Sequence, residues 1–267
     1  KIGLKTYADP RIDGCRANQA AWDCGEEVVE LLTIDGKEYL LYKSFPIDIC
    51  FIKGTTADES GNVTIESEAT MNGIFEMAAA THNSGGTVIV QVDRLAANGS
   101  LNPKDVKVPG LLVDAIVVGD PERSKQSYAL PYSPALSGEL KIPVSKDKAP
   151  EPLSLKKIIA RRAAMEIKTN SFVNFGIGVP QFIAAVLAEE GLSDQVITSV
   201  ESGVIGGVPS GGLGMGSAVN PVAMIKHPEM FDLYHGGALA GTFLGAAEFD
   251  AKGNVNVTRF NGKSVGP

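Results

Sequence analysis

The segment SFVNFGIGVPQFIAAVLAEEGLSDQVITSVE, Ser171 to Glu201, reads as strand, helix, strand. Ser171–Gly178 is rich in β-prone residues and closes on glycine. Gln181–Leu192 is rich in alanine and leucine, and Gln195–Glu201 is β-branched again. That order predicts a parallel βαβ unit with a right-handed crossover. Between the first strand and the helix lies GIGVP, Gly176–Pro180. Glycine there lets a ligand approach the main chain, and Pro180 at the helix start costs no hydrogen bond. The first amides of the helix are unpaired and carry the positive end of its dipole, which suits a phosphate or a developing oxyanion. Glu201 ends the second strand and is followed by SGVIGGVPSGGLGMG, up to Gly216. A carboxylate at the carboxyl end of a parallel strand faces the crevice in which open α/β sheets bind ligands. The blander reading is a solvated glutamate before a flexible loop. Val204, Ile205, Val208, Leu213 and Met215 stand between the glycines, which predicts an ordered, partly buried loop with backbone set against a ligand.

Upstream, Ser154 is placed to cap a helix over LKKIIARRAAMEI, with Ile158, Ile159, Ala163 and Met165 on its apolar face. The charged, proline-bearing stretch Val144–Leu155 reads as a linker. It separates a first domain, residues 1–143, from a second, residues 156–267. In the first, Ala69–Asn83 reads as a helix closed by Gly85 and Gly86, before strands Thr87–Val92 and Leu111–Val118. FIKGTTADESGNVTI (Phe51–Ile65) aligns without gaps on FLGAAEFDAKGNVNV (Phe243–Val257), with Phe, Asp and Gly-Asn-Val shared. Two readings fit: a pair of related α/β domains, or a recurrent D-x-x-G-N hairpin turn. The fold class expected is α/β, two related open domains with largely parallel sheets.

The chain has 267 residues and a net charge of -7, which argues against a duplex nucleic-acid partner. No run approaches the ~18–20 apolar residues of a membrane span, so no membrane partner is expected. Cys15, Cys24 and Cys50 lack C-x-x-C spacing and read as buried or idle thiols in a reducing compartment, and a cytoplasmic location is expected. His82 and His227 have no partners at ligand spacing, so no metal site is expected. His235, beside Gly236 and Gly237, reads as a base or as a packing residue. A dinucleotide fingerprint matches at Gly176 and Gly178, with Glu201 as the ribose acid, but Gln181 occupies the third glycine position.

Taken together, GIGVP, VESGVIGGVPSGG, FDLYHGG and GNVNVTRFNGK resemble the second half of the family I coenzyme A transferases. ADPR (Ala8–Arg11), FPIDICFIKGTTADESGNV, NSGGTVIVQV and VPGLLVDAIVV resemble the first half. The resemblance is closest to the single-chain acetate and propionate enzymes. It implies reversible CoA transfer between short acyl-CoA thioesters and carboxylic acids, with Glu201 as nucleophile and a glutamyl-CoA intermediate. The alternatives are an acyl-CoA hydrolase on the same site and a non-catalytic ligand-binding module. It further implies that Gly176, Ile177, Gly178 and Val179 help form the oxyanion hole. Gly203 and Gly206 belong to the nucleophile motif, and Gly236 and Gly237 are expected against the thioester and the CoA arm. No cofactor beyond CoA and a homo-oligomeric state are also implied. Where relatives usually read G-G-G-L-D, this chain has Gly236-Gly237-Ala238-Leu239-Ala240. Against the family's length, both ends read as cut.

Overall fold

The structure is a computed structural model that describes residues 23–24, 28–120, 122–143, 150–257, 259–261 and 263–264. Ala8–Arg11, Cys15 and half of the Val144–Leu155 segment, residues 144–149, lie outside the described residues. Contacts divide the chain into two units: Ile47–Gly245, and Lys1–Pro46 with Ala246–Pro267. In the smaller unit, β1 (Val29–Ile34) and β2 (Lys37–Tyr42) form an antiparallel hairpin.

The larger unit holds one parallel sheet and one mixed sheet, with smaller strand pairings beside them. In the first, β3 (Ile49–Lys53), β6 (Thr87–Val92) and β8 (Ala115–Val118) lie in the order β3-β6-β8, all parallel. Helix α1 (Ile74–Asn83) connects β3 to β6 and covers one face. Strand alternation sends Cys50, Ile52, Val88, Val90 and Val92 to that face, where they pack with Ile74 and Ala78. Ser84 caps α1, and Gly85 follows at φ 78°, the left-handed position that favours glycine. Two further strands, β4 (Thr56–Asp58) and β5 (Val63–Thr64), make an antiparallel hairpin, and β7 (Arg94–Ala96) joins β4 in parallel. A single helical turn, α2, spans Pro134–Ser137.

The second sheet has the order β14-β11-β10-β9-β15. Its centre is the βαβ unit read from the sequence. Strand β9 (Ser171–Phe175) leads through α4 (Gln181–Glu189) to β10 (Val196–Val200), which pairs with it in parallel. Helix α3 (Leu155–Ala164) packs on α4, and its Ser154 cap accepts the Lys157 amide at 3.2 Å, as expected. The face that α3 buries differs from the apolar stripe expected. Ile158, Ile159 and Met165 are 51%, 55% and 79% exposed, while Lys157 and Ala160 are buried. Small Ala160 lets the helices approach within the Val173, Phe175, Ile183, Val186 and Leu187 cluster. The Lys157 ammonium is accommodated by Glu189 at 2.7 Å and the Glu151 carbonyl at 2.5 Å.

The remaining elements of this unit are β11 (Val204–Ile205), β12 (Val208–Pro209), β13 (Ala218–Val219), β14 (Ala223–Met224), α5 (His227–His235) and β15 (Gly241–Phe243). The last runs parallel to β9. Both copies of the internal repeat form the same hairpin. Thr56 faces Thr64 and Ala57 faces Val63; in the smaller unit β16 (Glu248–Phe249) pairs with β17 (Val255–Asn256) at the equivalent register. Asp58 accepts the Ser60 and Asn62 amides and the Asn62 side chain, all at 3.0 Å. Asp250 accepts the same set from Lys252 and Asn254 at 2.7–2.9 Å. The shared Asp, Gly and Asn are therefore those the turn itself requires, while the shared Phe51 and Phe243 lie in β3 and β15 outside it. Gly61 and Gly253 stand at φ 86° and 84°.

Candidate active site

Strands β9 and β10 end at one edge of the second sheet. Ser199 pairs with Asn174, so Gly176 and Glu201 each lie just beyond that edge, on strands about 4.8 Å apart. Glu201 does not open a long loose loop. It begins a tight turn, Glu201-Ser202-Gly203, after which β11 returns antiparallel to β10, Val200 facing Val204. The turn is tied on both sides: the Gly203 amide donates to the Val200 carbonyl at 3.0 Å, and the Ile225 amide donates to the Gly203 carbonyl at 2.9 Å. Gly203 has φ 110°, and a Cβ there would lie 1.8 Å from the Ile225 carbonyl oxygen. Ser202 Oγ donates to the Gly216 carbonyl, fastening the start of the glycine-rich stretch to its end. Glu201 is half-buried and Val204 fully buried, whereas Val208, Leu213 and Met215 lie partly open on the loop beyond.

The backbone amides divide the glycines into two groups. Gly176 donates to Phe243, Gly206 to Thr198, Gly236 to Asp232, and Gly237 to Tyr234, each through a carbonyl 2.7–3.1 Å away. With Gly203, these five amides are spent inside the fold. Gly236 continues the last turn of α5 in right-handed conformation, and Gly237 follows at φ 90°. The amides of Ile177, Gly178 and Val179 have no hydrogen-bond partner among the described residues. Ile177 and Gly178 are exposed, and Gly178 stands at φ 90° with nothing within 4 Å of where a Cβ would project. The loop before α4 thus presents consecutive unengaged donors at the edge where Glu201 emerges.

Beneath Glu201 lies a polar layer that the sequence reading did not find. Ser199 and Asn174 are 2% and 3% exposed. Tyr234, in the last turn of α5, donates its hydroxyl to Ser199 Oγ at 2.8 Å, and Ser199 donates onward to the Val173 carbonyl at 2.9 Å. Asn174 Nδ2 donates to the Ser199 carbonyl at 3.2 Å and reaches the Tyr234 oxygen at 3.5 Å, while its Oδ1 accepts from Thr242 at 3.2 Å. Burial pushes the Tyr234 hydroxyl above the usual tyrosine value. The nearby Glu201 charge adds to that shift. The signal available was an asparagine set among apolar strand residues in SFVNF, since a buried amide needs partners.

A cavity of about 580 Å³ opens beside the turn, lined by Ser202, Met215 and Gly216 on one side and Lys53, Glu68 and Gln91 on another. Lys53 bonds to Glu68, whose acid is nevertheless raised, because burial outweighs that pairing. His235 is exposed, with its ring edge-on to Phe231 at 5.9 Å. His227 packs on the same ring at 4.9 Å. Among the described residues no three His, Cys, Asp or Glu side chains group as metal ligands, and no helix is long and apolar enough to cross a membrane.

A family model described as Coenzyme A transferase matches residues 1–119. Residues 1–119 thus match the coenzyme A transferase family, and the whole chain is similar to proteins named as CoA-transferases. Over all 267 residues it is 43% identical to a caffeate CoA-transferase of Acetobacterium woodii, covering 50% of that protein. It is 40% identical over 265 residues to acetate CoA-transferase YdiF of Escherichia coli K12, covering 99% of this chain and 49% of the relative. The crystal structure of YdiF from E. coli O157:H7 in a thioester complex with CoA superposes with a TM-score of 0.85 at 39% identity, over 98% of this chain and 48% of that one. The chain spans about half the length of the curated relatives it matches.

Proposed function

We propose that this protein transfers coenzyme A reversibly between short-chain acyl-CoA thioesters and free carboxylic acids, with Glu201 as the covalent carrier. The observation that carries this reading is a half-buried carboxylate in a rigid turn, at the same sheet edge as the unengaged amides of Ile177, Gly178 and Val179. Similarity to an acyl-CoA transferase solved as a thioester complex with CoA supports it.

The chemistry follows from those groups. A Glu201 carboxylate oxygen attacks the thioester carbonyl carbon, the carbon–sulfur bond breaks, and CoA departs as thiolate. The resulting acyl-glutamyl anhydride is attacked by that thiolate at the glutamyl carbonyl. The carbon–oxygen bond to the acyl carboxylate breaks, releasing the first acid and leaving Glu201 as a CoA thioester. A second carboxylate reverses both steps, which gives ping-pong kinetics. Each tetrahedral intermediate places negative charge on an oxygen that needs amide donors at about 3 Å, each worth roughly 10²–10³ in rate. The 177–179 amides, unengaged among the described residues, are the donors assigned to that oxygen. The route uses no cofactor beyond CoA itself. The cavity beside Ser202 lies in the usual size range of small-molecule sites. Relatives named for acetate and for caffeate support a carboxylic acid as its occupant. The reading includes a cytoplasmic homo-oligomer that binds neither nucleic acid nor membrane.

The test is inactivation by borohydride. Treatment after exposure to acetyl-CoA should abolish transfer, and treatment without acyl-CoA should leave it intact. Glu201→Ala should be inactive. Transfer that survives Glu201→Ala refutes the assignment, and CoA release in the absence of any acceptor acid points to a hydrolase.

A further inference from the structure

We infer that Tyr234 is a positioning residue for Glu201, acting through Ser199; this rests on the reading of Glu201 as nucleophile. Ser199 lies in the last two residues of β10, two before Glu201, which opens the turn directly after the strand. Ser199 therefore sets where the chain leaves the sheet for the turn. Its hydroxyl has one proton, which goes to the Val173 carbonyl, an acceptor only. The Tyr234 hydroxyl must then be the donor in the 2.8 Å contact with Ser199 Oγ, and its lone pairs face Asn174 Nδ2. The direction of the Tyr234–Ser199–Val173 chain is therefore fixed.

The tyrosine ring is held independently of its hydroxyl. It packs against Phe172 of β9, with centroids 6.1 Å apart, and against Phe231 one turn earlier on α5, at 5.6 Å. The Tyr234 carbonyl accepts the Gly237 amide at 3.1 Å. One residue thus ties the strand that carries the nucleophile to the turn that ends α5. Meanwhile Asn174 and Thr242 tie the same layer to β9 and β15. β9 leads directly into the 177–179 amides, so the layer fixes the carboxylate relative to its oxyanion donors. A displacement of about 1 Å at such a site costs on the order of 10² in rate.

The test compares Tyr234→Phe, Ser199→Ala and the double variant with the parent chain. Phenylalanine keeps the ring packing and removes only the hydroxyl. Tyr234→Phe should lower the single-turnover rate of Glu201–CoA thioester formation about 10–100-fold, with KM for acyl-CoA within about threefold and the thioester reaching the same final stoichiometry. Because the effect passes through Ser199, the double variant should be no slower than the slower single variant. The inference is overturned if Tyr234→Phe changes the rate by less than twofold, if its loss tracks the unfolded fraction, or if the two substitutions multiply. If the parent chain itself forms no Glu201–CoA thioester, the nucleophile reading fails instead.

Discussion

Gly203 and Gly178 are both left-handed glycines near the carboxylate, yet alanine should act on them for different reasons. At Gly203 an added Cβ would stand 1.8 Å from the Ile225 carbonyl oxygen, a separation that no Cβ tolerates. The turn and the strand opposite must move apart by more than 1 Å, which breaks the hydrogen bonds Gly203–Val200 and Ile225–Gly203. Each is worth about 0.5–1.5 kcal/mol, and φ 110° adds about 1–2 kcal/mol of strain for an L-residue. Gly203→Ala should therefore lose about 2–5 kcal/mol. At Gly178 the conformation is strained for alanine, but the methyl group would point into open space. Gly178→Ala should lose only about 1–2 kcal/mol, and should lose activity beyond what that destabilisation explains, because the neighbouring amides turn with the residue. Urea unfolding followed by far-UV dichroism measures the first quantity, and acyl transfer at full folding measures the second. A Gly203→Ala variant as stable as Gly178→Ala would refute the division of the glycines into packing and donor positions.

Other expectations test separate parts of the account. Asp58 is buried and Asp250 exposed, although they anchor the same turn, so Asp58→Ala should destabilise by about 2–3 kcal/mol and Asp250→Ala by clearly less in the same denaturant assay. The Asn62 side chain and the surrounding amides hold the Asp58 acid below its usual range. Its contribution is present above the unfolded carboxylate value near 4 and should be lost as pH falls through the lower folded value, which a pH series of unfolding midpoints would show. Tyr234, raised chiefly by burial, keeps its proton in the folded state after the unfolded state has lost it, so stability should fall as pH passes about 10. That fall should be shallower in Tyr234→Phe. On α3, Ile159→Ser should change stability by less than about 0.5 kcal/mol. Ala160→Leu, on the buried face, should cost about 1–3 kcal/mol by overpacking.

The sequence carried the βαβ unit because its signals are local: β-prone runs bounded by glycine, an alanine-rich helix between them, and a carboxylate closing the second strand. Strand Thr87–Val92 and the Ser154 cap are likewise matters of a few consecutive residues. The buried face of α3 was misread because periodicity ranks Ile158 and Ile159 above Ala160. It cannot see that a neighbouring helix comes close through alanine, or that a lysine is neutralised by a partner 32 residues away. Helix α5 was missed although Pro228 sits in its first turn and Glu229 accepts the Lys226 amide at 2.9 Å. The polar layer under Glu201 joins Asn174, Ser199, Tyr234 and Thr242 from four different elements. Only the packed sheet brings them together. The glycines were legible as a class, but their division was not, since it depends on which carbonyl lies opposite each amide.

The central claim is that the Glu201 carboxylate becomes covalently acylated during turnover. Peptide mass spectrometry after incubation with acetyl-CoA and no acceptor acid tests it most directly. The account expects the peptide spanning Glu201 to carry one CoA in thioester linkage, to lose it when acetate is added, and to be unmodified in Glu201→Gln. CoA found on another residue, or rapid transfer with Glu201 unmodified throughout, would contradict it.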